Sequence, residues 1–137
     1  MDQACFAAEI AYTREELNSF LSAPGAFALA LETESGDLGG FVLAVPGRRR
    51  GHIITLDVLP AWRRCGWARR LVLAAERRLR AAGCQQVGLE TAVNNTAALA
   101  LYARLGYRVQ RVLRGYYPGG LDALAMRKSL PGPNAGP

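Results

Sequence analysis

The sequence has few of the residues that build metal centres and disulfide frameworks. It contains one histidine, His52, and three widely separated cysteines, Cys5, Cys65 and Cys84, without a CxxC pair. A structural zinc site needs clustered cysteine and histidine ligands, and a disulfide framework needs an even number of cysteines. We therefore expect neither a metal site nor a disulfide framework. Such cysteine usage is typical of a protein of the reducing cytoplasm.

The chain also lacks a long apolar run and an N-terminal export signal. No stretch reaches the roughly 20 apolar residues of a membrane-spanning helix, and no basic segment followed by an apolar one opens the chain. With 137 residues, 50% of them hydrophobic, it is long enough to bury its own core. We expect a soluble cytoplasmic protein with one domain over residues 1–130. The remaining residues, 131–137, end in PGPNAGP and are expected to be disordered.

Positive charge is what the chain has in excess. Seventeen lysines and arginines against eleven acidic residues give a net charge of +6, and many of them cluster at 48–50, 63–70 and 77–80. Such an excess is compatible with nucleic acid, an acidic protein or a polyanionic cofactor. Few aromatic residues lie between the arginines, so a base-stacking surface is not indicated. The short clusters favour a small polyanion.

The hydrophobic pattern predicts an α+β arrangement of helices and strands. A capping box, with Thr13 as the N-cap and Glu16 three residues later, predicts a helix that stops before Pro24. Apolar residues at helical spacing predict two more helices, over 66–82 and 95–106. Alternating or continuous apolar runs predict strands over 26–33, 40–45, 51–59, 85–91, 107–117 and 121–129. This order predicts a mixed sheet flanked by helices.

The junction between the strand over 51–59 and the helix over 66–82 has the features of an anion site. Backbone N–H groups at a helix N-terminus lack intrahelical acceptors and favour a phosphate. Gly66 lets a ligand approach the backbone closely, and Arg63 and Arg64 would add guanidinium groups that match phosphate geometry. Taken alone, so short a pattern favours a tight turn with solvated arginines.

The sequence around this junction resembles the GNAT N-acyltransferase superfamily. The string LDVLPAWRRCGWARRLV is similar to its acetyl-CoA-binding motif, with Arg63, Gly66 and Ala68 at the motif positions. LETAVNNTAALALYARLGYR is similar to its second signature. RGYYPGGLDALAMRKSL resembles the branch of ribosomal-protein-alanine N-acetyltransferases and related N-terminal amine acetyltransferases. The resemblance covers about residues 26–130. It implies a GNAT fold of the α+β class (α/β three-layer), whose mixed, mostly antiparallel sheet splays at the cofactor site.

The resemblance implies direct transfer of an acetyl group from acetyl-CoA to a primary amine, most simply a protein N-terminal α-amine. It assigns the general base to Glu90, acting through a water, and the general acid for the departing sulfur to Tyr102. It assigns the acetyl-CoA site to Leu56, Asp57, Val58, Arg63, Arg64, Cys65, Gly66, Trp67, Ala68, Arg69 and Asn95. Within that set, the N–H group of Val58 would lie at a strand bulge and face the thioester oxygen. The acceptor side is assigned to Tyr116, Tyr117 and His52, the last at a position where a relative carries a second base.

Each of these assignments has a structural alternative. Glu90 could be a solvated carboxylate at a strand end, Tyr102 a core tyrosine, and His52 a strand-edge histidine without a role. The paired tyrosines, Tyr116 and Tyr117, could be simple surface packing.

The chain also departs from the family pattern. Where relatives carry Val-Arg-x-Ser-Asn after the base, this chain has Thr91 to Asn95, so Ala92 replaces an arginine. The family begins with a strand and a helix ahead of residues 6–21. This chain has little room for that first strand, so we expect it to be trimmed, to begin late or, together with the helix, to be missing.

Two other functions are compatible with the sequence. One is the same chemistry on a small amine, such as an amino acid, a polyamine or an aminoglycoside. The other is a non-catalytic module that holds RNA or coenzyme A on the same fold. Under the leading interpretation we expect no membrane or nucleic-acid partner, and a monomer or homodimer.

Overall fold

A computed structural model of the protein describes residues 8–13, 25–33, 35–63 and 66–131. In these ranges the chain forms one seven-stranded sheet with two α-helices. The strands are β1 Ala8–Thr13, β2 Phe27–Thr33, β3 Leu38–Pro46, β4 Arg50–Val58, β5 Gln86–Ala92, β6 Arg108–Leu113 and β7 Ala123–Ser129. The helices are α1 Trp67–Ala81 and α2 Thr96–Arg104, and a 3-10 turn, Pro60–Trp62, precedes α1.

The strand order is β1-β2-β3-β4-β5-β7-β6. Every neighbouring pair is antiparallel except β4 and β5, which run parallel. A parallel pair needs a crossover connection, and α1 supplies it. The mixed, mostly antiparallel sheet of the α+β class that the sequence predicted is therefore confirmed.

Strand β1 is an element that the hydrophobic pattern did not predict. Ala8–Thr13 pairs with β2 in antiparallel register over six residues. Its pairing with β2 joins residues that are distant in the sequence, and the pattern of so short a segment does not predict it. The helix predicted after Thr13, over residues 14–23, and the tail at 132–137 lie outside the described residues.

Strands β4 and β5 separate soon after they begin to pair. Their register joins Arg50 to Gln86, Gly51 to Val87 and His52 to Gly88, and then stops. Both strands continue beyond this point, so a gap opens between them at the carboxyl end of the pair. This gap is the splay that the resemblance implied.

A β-bulge in β4 lies beside the gap. The register with β3 passes from Leu43 opposite Thr55 to Ala44 opposite Ile53, which leaves Ile54 as the extra residue. Because successive side chains alternate between the two faces of a sheet, an extra residue reverses the alternation beyond it.

The position of this bulge differs from the predicted one. The sequence placed a bulge at Val58, but Val58 lies in register with Gly40. The register depends on β3, which the pattern of β4 alone does not contain. As a result of the earlier bulge, Thr55 and Asp57 share the face of His52.

Helix α1 covers one face of the sheet, which we call the inner face. Leu71, Val72, Ala75 and Leu79 are buried against β2, β3 and β4, as their helical spacing predicted. On β5, Val87, Leu89 and Thr91 are buried on this inner face. The intervening residues of β5 therefore point to the opposite face, which we call the outer face. They are Gln86, Gly88, Glu90 and Ala92.

A buried carboxylate ties α1 to the far side of the sheet. Glu76 is 7% exposed, and its Oε2 accepts a hydrogen bond of 2.8 Å from the hydroxyl of Tyr107. Its Oε1 accepts from Nζ of Lys128, also at 2.8 Å. Burial, followed by the charge of Glu76, raises the pKa of Tyr107 well above its usual value. Each polar group of this cluster has a partner, which offsets the cost of its burial.

Candidate active site

Glu90 and His52 meet on the outer face, where the gap between β4 and β5 begins. Nε2 of His52 lies 2.8 Å from Oε1 of Glu90. The neighbour of His52 in register is Gly88, and a Cβ placed there would lie 3.8 Å from Nδ1 of the imidazole. The imidazole therefore lies over a strand position that has no side chain. The two residues assigned separately from the sequence form one hydrogen-bonded pair.

The loop between β6 and β7 brings two tyrosines to this pair. The carboxylate of Asp122 accepts from the N–H of Gly115 at 2.8 Å, which closes the loop. The hydroxyl of Tyr116 lies 3.5 Å from Oε1 of Glu90, at the limit of a hydrogen bond. The rings of Tyr116 and Tyr117 contact each other edge to face, with centroids 5.0 Å apart.

Both loop tyrosines respond to the charge of Glu90. This charge is the main cause that raises the pKa of Tyr116. For Tyr117, burial is the main cause that raises the pKa, and the charge of Glu90 is the second cause. Both hydroxyls therefore remain donors beside the carboxylate at neutral pH.

Tyr102 lies in the core of the inner face, opposite to the face that carries Glu90. Its ring is 7% exposed and contacts Tyr107 edge to face, with centroids 5.5 Å apart. Burial, with a smaller contribution from Tyr117, raises the pKa of Tyr102 to about 12. The side chain is thus a core tyrosine whose hydroxyl keeps its proton at neutral pH.

The N-terminus of α1 is open and carries no cap from a side chain. Gly66 is the N-cap, with φ of 80°, and a Cβ added to it would meet no atom within 4 Å. The first intrahelical bond runs from the N–H of Arg70 to the carbonyl of Gly66. The N–H groups of residues 67–69 precede it and so have no acceptor within the helix.

Charge at this helix end also favours an anion. The first turn holds no acidic residue and carries Arg69 and Arg70, although cations are disfavoured at the positive end of a helix. A bound phosphate would relieve this repulsion. The side chain of Trp67 is buried in the core, so its backbone is the part that a ligand at this helix end could contact. Arg64 and Cys65, which the sequence assigned to the same site, lie outside the described residues.

Arg63 makes a contact that the sequence did not predict. Its Nε donates to the carbonyl of Val58 at 2.9 Å and so ties the 3-10 turn to the end of β4. The sequence had assigned Arg63 to a phosphate. The structure gives this guanidinium at least one bond to the backbone.

The backbone of β4 presents polar groups to the gap. The N–H of Leu59 donates to the carbonyl of Gly39 at 2.8 Å. Since hydrogen-bonded and non-bonded pairs alternate along antiparallel strands, Leu56 and Val58 direct their N–H groups away from β3 and into the gap. The N–H of Val58 thus faces the gap, although Val58 lies outside the bulge, and its contact with a thioester oxygen stays a prediction.

Asn95 and Asp57 complete the predicted set. Oδ1 of Asn95 accepts from the N–H of Ala98 at 3.2 Å and caps α2, which leaves its NH₂ group for a ligand. Asp57 is exposed on the outer face of β4, and Ala68 packs against the core at the start of α1. Gly88 was not predicted as part of the site, although a glycine inside a strand often marks a close approach.

The fold and the site together define an acyltransferase scaffold, and the family comparison agrees. Residues 2–107 match the acetyltransferase (GNAT) family, and the chain therefore belongs to this family. The resemblance drawn from the sequence motifs is confirmed. In the described part of the chain, no helix is both long and apolar enough to span a membrane.

Named relatives are N-alpha-acetyltransferases. The chain is 40% identical over 84 residues to N-alpha-acetyltransferase MAK3 of Arabidopsis thaliana, covering 61% of this chain and 44% of that protein. It is 36% identical over 83 residues to an N-alpha-acetyltransferase of Saccharolobus solfataricus, covering 60% and 50%. The chain thus spans about half the length of these curated relatives.

A solved structure shares the fold. The ribosomal-protein-S18-alanine N-acetyltransferase of Escherichia coli superposes with a TM-score of 0.74 at 24% identity, over 94% of this chain and 84% of that one. At this identity the similarity concerns the fold alone.

Proposed function

We propose that the protein is an acetyl-CoA-dependent N-acetyltransferase that transfers acetyl directly to a protein N-terminal α-amine. The observation that carries this proposal is the hydrogen-bonded pair of His52 and Glu90 at the mouth of the gap between β4 and β5. The names of the relatives support the class of acceptor.

The residues around the gap fit acetyl-CoA. The open N-terminus of α1 offers backbone N–H groups and arginines to a diphosphate, and Gly66 leaves space for it. The N–H groups of Leu56 and Val58 and the NH₂ group of Asn95 would bind the amide-bearing arm. Acetyl-CoA, when bound, supplies the activated acetyl group.

Glu90 acts as the base for the acceptor amine, through a water. An ionised carboxylate can only accept hydrogen bonds, so Nε2 of His52 carries the hydrogen in their contact. His52 thereby fixes Oε1 and leaves Oε2 to take the proton. An α-amine has a pKa of about 8 against about 10.4 for lysine, so a modest base suffices at neutral pH.

Tyr102 holds the proton that the departing group needs. Because its pKa is raised to about 12, the hydroxyl is protonated throughout the neutral range. Tyr117 lies close enough to both Tyr102 and Glu90 to interact electrostatically with each of them, so the loop between β6 and β7 connects the acid and the base. Tyr116 and Tyr117 would bind the backbone of the acceptor beside Glu90.

Acetylation of a peptide library with varied first residues, with acetyl-CoA as donor, tests this function. We expect wild-type turnover on free peptide N-termini and a loss of kcat of about 10²–10³-fold in Glu90→Gln. Glu32→Gln, an equal change on β2 away from the site, is the matched control and should keep wild-type kcat. Turnover of small amines alone would establish the small-molecule function instead. Absence of turnover on any amine, with salt-dependent RNA binding, would establish the binding module.

A further inference from the structure

Three arginines on β6 and β7 form a basic surface that the proposed chemistry does not use. Arg108 lies directly opposite Arg127, and Arg111 lies directly opposite Ala125. A bulge at Gln110 interrupts the alternation of β6, so Arg108 and Arg111 share one face although they are three residues apart. We call Arg108, Arg111 and Arg127 the basic face.

The basic face lies on the outer face of the sheet, beside the catalytic pair. Gly88 is the register neighbour of both His52 and Arg127. One row further along, Ala125 is the neighbour of both Glu90 and Arg111. Directly opposite residues point to the same side, so these side chains share one surface.

The surface between the catalytic pair and the arginines is short and open. Its floor is formed by Gly88 and Ala125, which carry little or no side chain. Strands are about 4.8 Å apart, so Arg127 begins about 10 Å from His52, and Arg111 begins about 10 Å from Glu90. Arg108 lies one strand beyond Arg127.

The charges of the basic face are not compensated within the described ranges. The ion pairs found there join His52 to Glu90 and Lys128 to Glu76, and neither includes one of the three arginines. Like charges directly opposite each other on neighbouring strands destabilise a sheet. The arrangement of Arg108 and Arg127 is therefore unfavourable unless an anion lies between them.

An open cavity of about 480 Å³ adjoins this face. It is lined by Gln86, Gly106, Arg108, Gln110, Arg127, Lys128 and Ser129. This lining contains hydrogen-bonding groups and cations but no carboxylate, so it suits an anionic group. It also contains no aromatic ring on which a nucleobase could stack. Carboxylates of a peptide fit this lining better than a nucleic acid does.

We propose that the basic face is a subsite for acidic side chains of the acceptor, three to five residues from its N-terminus. This inference rests on the function proposed above and adds the class of acceptor sequence. An extended peptide rises about 3.3 Å per residue, so a chain whose amine lies at Glu90 reaches the arginines after about three residues. Two or three guanidinium groups would then face its carboxylates.

Two peptide series and two double variants test the subsite. Peptides of about eight residues share the best first two residues and carry Glu, or Gln, at positions three to five. With wild type at low salt we expect a KM about tenfold lower for the Glu peptide, and a smaller difference at high salt. In Arg108→Gln/Arg111→Gln the ratio of the two KM values should fall towards one. Arg77→Gln/Arg80→Gln, on α1 on the other side of the sheet, removes equal charge and should keep the preference.

Equal KM values in wild type, or a preference that survives Arg108→Gln/Arg111→Gln, would overturn the subsite and leave N-terminal acetylation standing. If no peptide is acetylated, fluorescence anisotropy with labelled Glu and Gln peptides decides independently of turnover. Tighter binding of the Glu peptide that the double variant loses supports the subsite, and equal binding overturns it. A single-stranded RNA that binds more tightly than the Glu peptide and is released by the same substitutions would assign the face to nucleic acid instead.

Discussion

Nε2 of His52 lies 2.8 Å from Oε1 of Glu90, at the point where β4 and β5 stop pairing. His52 lies on β4, which is also paired with β3, and Glu90 lies on β5, which is also paired with β7. The sheet therefore fixes the relative position of the two side chains. Holding Oε1 in this way restricts the rotation of the Glu90 carboxylate where the gap begins. The position of the proposed base therefore depends on the same divergence of strands that makes room for the reactants.

The contact predicts how substitutions of His52 should behave. His52→Leu removes the donor and frees the carboxylate to rotate, and we expect kcat to fall about tenfold with little change in KM. His52→Gln keeps an N–H donor and should recover most of the activity. Steady-state kinetics with a peptide acceptor give both values, and thermal unfolding checks the fold. Full kcat in His52→Leu would show that the histidine does not position Glu90.

Gly66 allows a test of the cofactor site with a well-matched control. Gly66 and Gly36 have φ of 80° and 86°, and neither would bring an added Cβ within 4 Å of another atom. Valine should therefore cost a similar 1–2 kcal/mol of backbone strain, roughly, at either position. We expect Gly66→Val to weaken acetyl-CoA binding at least about tenfold and Gly36→Val to leave it unchanged, because only Gly66 opens α1. Isothermal titration calorimetry measures the acetyl-CoA affinity of both variants. Equal affinities of Gly66→Val and Gly36→Val would show that the diphosphate does not bind at this turn.

The sequence predicted the elements well where the pattern was local. The helix predicted over 66–82 is observed as Trp67–Ala81, and the one over 95–106 as Thr96–Arg104. Their apolar periodicity lies within the segment itself, so no knowledge of the tertiary fold was needed. The motifs likewise pointed to the strand end at Glu90 and to the turn at Gly66.

Features that depend on pairing between strands were not predictable. The bulges at Ile54 and Gln110 change which side chains share a face, and each is defined by a partner strand. Without the second bulge, Arg108 and Arg111 would be expected on opposite faces. Glu76 is a similar case, because its partners Tyr107 and Lys128 lie 31 and 52 residues away. An acidic residue on the apolar side of a helix gives no sign of such distant partners.

Two buried tyrosines predict that the fold weakens in alkali. The pKa of Tyr102 is raised to about 12 and that of Tyr107 is raised further by burial and Glu76, whereas both are about 10 in the unfolded chain. A raised folded-state pKa means that the unfolded state loses its proton first. The stabilisation is therefore complete below pH 10 and is lost as the pH rises towards 12. For Tyr102 alone this amounts to about 2–3 kcal/mol.

Urea unfolding between pH 8 and pH 11 measures this loss as a falling midpoint. Tyr102→Phe and Tyr107→Phe should each flatten the dependence, because phenylalanine has no proton to release. Tyr116→Phe is the control: its ring is 51% exposed, so solvent screens its interactions and the slope should stay close to that of wild type. A wild-type midpoint that is constant up to pH 11 would mean that the two inner hydroxyls ionise as easily in the folded protein as in water. Tyr102 could then not be the buried, protonated acid that the proposed chemistry requires.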